Sequence, residues 1–457
     1  MSKQFHDRQR TRQFQPTRRQ IVQTAGGLAV LGALGGHGHQ AVAQDQVTID
    51  FWNWWDVARQ ELMDNIIADF QEEFPNIVVN NVPQTWDRRD EVVVTALAGG
   101  DPPEVIMVSR QEIVSFAASG ALTPLTPFVE EHGLDLERYY ESEISSMWWE
   151  DELYALPMPT AGGETGLYFY NRRLFEEAGL DPESPPETWE ELDAATEALT
   201  ILSSDGAIEQ MGINMSISSP QFLANLYCNN GSLYSDDLRT VTFNSDEGKE
   251  TLQWMFDFVN RHFGGQQNVL DWEATITQGE DPFHQERLAM QYQNVSQFFH
   301  IKTNVPDLQY GVHFRPYNSN NPDAKSQGIA GLTFGWGYVI PNGLDEATQE
   351  AAFQFIKRIT YDDAACDFML QQERPSPIIE CNESPEFAEL NPHWDKVQQV
   401  MQSDVAVGVV PVQAEILSVL GDYVELVGFE EMSPEEGLDM AAEEAQAVLD
   451  EYWSSAS

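Results

Sequence analysis

The chain is predicted to fold as an α/β protein of two lobes, each a mainly parallel sheet flanked by helices, joined by a hinge. Three observations predict it. Between Val47 and Met107, short apolar runs alternate with helical patterns in a βαβαβ order, and right-handed crossovers turn that order into a parallel sheet. From Leu153 to Leu180 an apolar strand enters the flexible stretch Ala161–Gly163 and leaves as a second strand and a helix, the pattern of a passage between lobes. A length of 457 residues accommodates about two or three domains with sizeable cores.

In order along the chain, Val47–Trp52 alternates as a strand and runs into Asn53-Trp54-Trp55-Asp56. A helix follows through Leu62, Ile66, Ile67 and Phe70 and stops at Pro75. Ile77-Val78-Val79 is the next strand, Val92–Leu97 a short helix, and Val105-Ile106-Met107 a buried strand entered by the sharp turn Ala98–Glu104. Trp148-Trp149 before the acidic turn Glu150-Asp151-Glu152 predicts a packed β-hairpin. Leu153–Pro157 and Leu167–Tyr170 are strands, and Gly179 ends the next helix, since a residue without Cβ suits a left-handed cap. Thr188 and Glu191 form a capping box for the helix after it. Ser245–Phe263 is a long helix with Leu252, Met255, Phe256, Val259 and Phe263 on one side. Tyr310–Arg315 is expected to return the chain to the first lobe, where Gly335–Ile340 forms a strand and Glu346–Ile359 a helix. Ser433, Pro434 and Glu436 mark the start of a terminal helix in the second lobe.

Several of these strings carry a resemblance. Tyr170-Asn171-Arg172 followed by Pro186-x-Thr188-Trp189, the turn Gly100-Asp101-Pro102-Pro103-Glu104-Val105, Ser119-Gly120-Ala121-Leu122 and Glu286–Met290 are similar to those of the family 1 extracellular solute-binding proteins of ABC importers, the group that contains maltose-binding protein. The turn departs from the family's pattern at Glu104, where an aspartate is usual. The likeness covers nearly all of the chain after its N-terminal segment and implies a periplasmic-binding-protein-like fold. The expected division is an export signal over 1–43, the first lobe over 44–160, the second over 161–312, the first again over 313–365 and the second over 366–457.

Composition narrows the functional classes. A formal net charge of −50 accompanies 42% apolar and 11% aromatic residues, more than an unfolded, self-repelling chain carries. A folded protein with a dense carboxylate surface suits concentrated salt, where the Debye length at ~1 M is only about 3 Å; a halophile is the expected source. With no basic patch to displace counterions from phosphates, nucleic acid is not an expected partner. The first 43 residues hold six Lys or Arg against one acid, then the weakly apolar Ile21–Gly36, then Ala41-Val42-Ala43. This is the pattern of an export signal cleaved after Ala43, and Thr17–Val22 resembles a twin-arginine motif. The protein is therefore expected in the periplasm or at the cell surface. Of three cysteines, Cys366 and Cys381 either pair, leaving Cys228 free, or all three are buried thiols.

Enzyme signatures are absent from the sequence: it has no G-x-S-x-G elbow, Walker loop, H-E-x-x-H or EF-hand spacing. Acid pairs such as Asp56 and Asp87 arise by chance among 74 carboxylates. Tyr139-Tyr140 resembles the metal ligands of iron-binding relatives, but its place in the first lobe favours a structural role. No cofactor or metal is expected. Open parallel sheets bind ligands beyond the carboxyl ends of their strands, so two sheets facing across a hinge form a cleft. The first rim is expected to offer Asn53, Trp54, Trp55, Asp56, Trp86, Arg110 and Gln111. The second offers Glu164, Gln221, Tyr292 and Asn294, with Trp336 and Arg374 joining through the crossings. Flat rings for C–H faces and amides, carboxylates or a guanidinium for hydroxyls suit a sugar, with Trp55 and Trp336 stacking and Arg110 or Glu164 holding hydroxyls. Trp52, Trp189, Trp254 and Trp453 are expected in the core. The resemblance implies a monomer that hands its solute to the membrane subunits of an ABC permease. The alternatives are a binder of polyamine, glycerol phosphate or iron, or a secreted carbohydrate-active enzyme.

Overall fold

The structure, a computed structural model, describes residues 46–86, 88–158, 166–330 and 335–455. The expected export signal, Asp87, the crossing with Ala161–Gly163 and Glu164, and residues 331–334 lie outside the described residues.

The first sheet is built on β1 (Val47–Asn53), β2 (Ile77–Pro83) and β3 (Val105–Ser109), joined by the helices α1 (Val57–Glu73) and α2 (Arg89–Gly99). β1 pairs in parallel with both neighbours. After β3 comes α3 (Arg110–Ala118), and later the expected hairpin of β4 (Trp148–Trp149) and β5 (Glu152–Leu153), with Glu150 at φ +53 in its turn. β6 (Leu156–Met158) is separated from it by two residues, where the sequence predicted one strand. The second sheet uses β7 (Leu167–Asn171), β8 (Ile201–Leu202), β9 (Ile208–Ile213), β10 (Leu288–Tyr292) and β11 (Tyr310–Phe314), in the order β11-β7-β10-β9-β8. β12 (Ile329–Ala330) pairs with β14 (Val405–Ala406) as a separate ribbon, and β13 (Trp336–Val339) completes the first sheet in the order β2-β1-β3-β13-β6.

Strand direction follows from the crossings. In the first sheet only β13 runs against the others. The second sheet is mixed rather than mainly parallel: β9, β10 and β11 run one way, β7 and β8 the other. β7 starts at the crossing and runs away from it, so strands that bring the chain back toward the crossing oppose it. Met158, Leu167, Tyr292 and Phe314 are thereby brought to the edges where the two lobes adjoin.

Local expectations hold at the caps. Thr188 and Glu191 close a complete capping box on the helix Trp189–Leu199, Gly179 takes φ +79, and Ser245 accepts from the Gly248 N–H at the start of Asp246–Phe263. Others shift. Ile49 and Phe51 fill the inward face of β1, with Phe51 edge-to-face against Tyr338 and Phe355, so Trp52 is only half-buried. Trp189 is buried and stacks on Trp254 at 3.9 Å. Trp453, expected in the core, is half-buried and stacks on Trp149 instead.

β11 stays in the second sheet to Phe314, and the Arg315 N–H donates to the Gly166 carbonyl. Farther along, the helix Asp363–Gln371 packs on the helix Glu346–Thr360 and on α1, and Tyr139 bridges Ile378. The chain rejoins the second lobe with Trp394–Ser403 against β11 and with Gln413–Gly428 and Pro434–Ser455, which pack on each other. Cys366 and Cys381 form a disulfide, and Cys228 is a buried thiol. No helix among the described residues is long and apolar enough to cross a membrane.

Candidate functional site

The first rim is organised by Asn53 at the end of β1. Its side-chain oxygen accepts from the Trp55 N–H at 3.2 Å and from Gln60 at 2.8 Å, while its amide donates to Asn81 at 2.7 Å. This fully buried residue holds the turn in shape. Trp54 is buried and donates Nε1–H to the Met107 carbonyl at 2.9 Å. Trp55 is also buried, edge-to-face with Phe368, and its Nε1 has no hydrogen-bond partner. Asp56 is exposed and caps α1 by accepting from the Arg59 N–H at 3.0 Å.

Arg110 moves from the rim to the interior. Its guanidinium is fully buried, paired with the equally buried Glu143, and donates to the Ser142 carbonyl at 3.4 Å. Gly335, at φ +99, makes room for it: a Cβ there would lie 2.6 Å from Arg110 Nε. Gln111, next along α3, is half-buried. What the first rim turns outward is Trp86, 56% exposed, edge-to-face with Trp336 at 5.6 Å. The Arg89 guanidinium lies 4.4 Å from the Trp86 ring centre and 5.2 Å from that of Trp336, within cation–π range of both. Pairing of Trp336 with Ser109 and Met158 fixes that ring at the carboxyl edge of the sheet.

The second rim is set by Asn214, which brackets Tyr292: it accepts from the Tyr292 N–H at 2.7 Å and donates to its carbonyl at 3.1 Å. Tyr292 is buried, its hydroxyl has no hydrogen-bond partner, and burial pushes its pKa upward. Arg315 lies 3.6 Å over the Tyr292 ring and donates to Gln221 at 3.3 Å and Asn225 at 3.1 Å. Burial pulls its pKa down, since desolvation disfavours the charged form. Asn294 accepts from the Ser296 N–H at 2.9 Å and shapes the loop after β10. Glu164 lies outside the described residues.

Between the lobes, Arg59 on α1 lies 5.6 Å from the Trp55 ring and 6.0 Å from that of Phe299, on the helix Gln297–Asn304. Its Nη1 is 3.3 Å from Asp56, whereas Nε and Nη2 are buried without a hydrogen-bond partner. Burial lowers its pKa, opposed by Asp56. Arg374 is buried nearby, and both arginines add to the burial that depresses the pKa of His300. Arg59, Arg89, Asn214 and Arg315 were missed by sequence reasoning. A signal existed for the first two: each is a cation in the first turn of a helix, where the macrodipole disfavours it. No group of His, Cys, Asp and Glu among the described residues is arranged to hold a metal.

Comparison with known proteins accords with this architecture. The family model described as bacterial extracellular solute-binding protein matches residues 55–365. A curated relative, the sn-glycerol-3-phosphate-binding periplasmic protein UgpB of Shigella flexneri serotype 5b, is 23% identical over 450 residues, covering 94% of this chain and 98% of its own. The Escherichia coli K12 protein of the same name is 22% identical with the same coverage. Among solved structures, the ABC substrate-binding protein Lmo0181 of Listeria monocytogenes, in complex with cycloalternan, superposes with a TM-score of 0.75 at 19% identity, covering 89% of this chain and 100% of its own. A solute-binding protein of Thermotoga lettingae bound to α-D-tagatose gives 0.73 at 24% identity, with 88% and 100% coverage. These structures share the two-lobed fold.

Proposed function

Because the chain belongs to the bacterial extracellular solute-binding proteins, whose family model matches residues 55–365, we propose that it is the substrate-binding component of an ABC importer, capturing a sugar or oligosaccharide between its lobes and delivering it to a membrane permease. The observation that carries the sugar reading is the Trp86–Trp336 pair with Arg89 beside both rings. Aromatic faces cover the C–H faces of a pyranose, and a guanidinium donates to its hydroxyls. The sugar-bound solved structures of the same fold support the reading. In it, ligand binds one rim first and gains contacts from the other only on closure, so the closed population rises. The protein acts as a monomer without catalysis, is exported with cleavage after Ala43, and has no nucleic-acid partner.

A second reading is favoured by Arg59, whose Nε and Nη2 have no protein partner between the lobes. A guanidinium so placed suits a phosphate, and UgpB is named for sn-glycerol 3-phosphate. A thermal-shift screen in molar salt, with sugars, sn-glycerol 3-phosphate, polyamines and ferric iron, separates the readings. A ligand at a hundredfold excess over its Kd stabilises the native state by about 2.7 kcal/mol. A shift with a sugar supports the first reading, and a shift with glycerol phosphate alone replaces it. If saturating sugar leaves the radius of gyration in X-ray scattering unchanged, closure is wrong.

A further inference from the structure

A pocket lies between the lobes, away from the rims. Its volume is about 450 Å³, within the range that holds small-molecule ligands. From the first lobe it is lined by Ser145, Ser146 and Trp148, from the second by Tyr227 and Tyr234, and from the separate β12–β14 ribbon and its continuation by Val405–Val409. None of the rim residues borders it. Two features of the fold account for the separation. Trp148 belongs to the hairpin that precedes the amino end of β6, whereas the rim is at that strand's carboxyl end. In the second lobe, Gln221 and Tyr227 stand at opposite ends of the helix Ser219–Tyr227, roughly 9 Å apart at 1.5 Å per residue.

The polar groups around this cavity are incompletely used. Ser145 Oγ and Ser146 Oγ are buried with no hydrogen-bond partner, and Ser146 is 95% buried, being 5% exposed. Buried hydroxyls are ordinarily paired. Tyr227 Oη accepts from the Leu233 N–H at 3.2 Å, a bond that does not use its own proton. Tyr234, by contrast, donates to Gln413 at 2.9 Å. Hydroxyls from both lobes therefore border one space alongside an indole and valine side chains. Among the described residues the lining has no Lys, Arg or His and a single acid, Asp236, which disfavours an anion.

We propose that this cavity is a second ligand site, for a small neutral polyhydroxylated molecule held by Ser145, Ser146 and Tyr227 against Trp148. An occupant touches both lobes, so it is coupled to the hinge, and by linkage any change it makes in affinity at the rim is matched by the rim ligand's effect on the cavity.

The test uses sorbitol, xylitol and trehalose as probes in calorimetric titrations of the full chain. The double variant Trp86→Ala/Trp336→Ala removes the rim platform. Ser145→Ala/Ser146→Ala removes two hydroxyls that bond nothing in the protein, and is expected to leave thermal stability unchanged. Ser146→Trp fills the space, with circular dichroism checking its fold. The expected result is an isotherm for at least one probe that survives the rim variant and weakens about tenfold or more in both cavity variants. Loss of the isotherm in the rim variant with no change in the cavity variants assigns all binding to the rim and overturns the proposal. The absence of any isotherm that survives the rim variant overturns it equally. Failure of the rim to bind sugar leaves the cavity result readable, because the cavity variants carry it.

Discussion

The indole rings of Trp86 and Trp336 meet edge to face with centres 5.6 Å apart, one from the loop after β2 and the other from the first residue of β13. Neither strand pairs with the other in the sheet order. Their meeting follows from the shared carboxyl edge of the sheet, which brings together loops that are remote in sequence.

Trp86→Ala and Trp336→Ala are each expected to weaken ligand binding by about tenfold or more, ~1.4 kcal/mol per tenfold. Trp86→Ala is expected to leave the melting temperature of the free protein nearly unchanged, because the ring is 56% exposed. Titration calorimetry with the ligand found by thermal shift measures the first effect and differential scanning calorimetry the second.

Glu143→Gln strands the Arg110 cation in the interior of the first lobe, where both side chains are fully buried. Breaking a buried pair from one side costs about 3–5 kcal/mol. Denaturant unfolding is expected to register a loss of that size, and a double replacement, Arg110→Met with Glu143→Leu, a smaller one.

Trp149 on the first-lobe hairpin stacks on Trp453 of the terminal helix at 6.2 Å, and Arg239 lies 3.8 Å over the Trp453 ring. Such a ring pair contributes about 0.5–1.5 kcal/mol. Trp149→Ala is therefore expected to shift the ligand-free population away from the arrangement described here. Its X-ray scattering profile should fit this structure less well than that of the parent chain.

Burial lowers the pKa of His300, His313 and His393 below the ordinary 6.5. As pH falls through that value, the unfolded chain takes up protons that the folded chain does not, so stability is lost on acidification and is fully present above it. Denaturation midpoints measured between neutral and mildly acidic pH are expected to fall. The slope should flatten in His300→Gln, His313→Gln and His393→Gln.

Reduction of the Cys366–Cys381 disulfide opens a loop of sequence separation 15. In the loop-entropy account this destabilises the protein by about 3 kcal/mol. Cys366→Ala with Cys381→Ala is expected to lower the melting temperature and to abolish its sensitivity to reductant.

Much of the fold was legible locally. The β1-α1-β2 order, the Thr188–Glu191 box, the Gly179 cap and the Trp148–Trp149 hairpin each depend on a few neighbouring residues whose backbone preferences act alone. The rim was legible as a set of loops but not as a set of side chains. Trp54, Trp55 and Arg110 stand where the topology places a rim, yet all three are buried and Arg110 is paired with Glu143. That pairing joins residues from separate elements, and no spacing along the chain announces it. Arg89 and Arg59 escaped notice although both oppose a helix dipole.

By itself, then, the sequence determined the alternation of strands and helices, the helix caps and the strongly acidic charge, because periodicity, capping and charge are properties of adjacent residues. Tertiary structure alone decided which rings remain outward, which arginine is neutralised inside, and that hydroxyls of Ser145, Ser146 and Tyr227 border one cavity. Those outcomes depend on burial and on contacts between distant segments, and desolvation acts on a side chain only once the rest of the chain has closed around it.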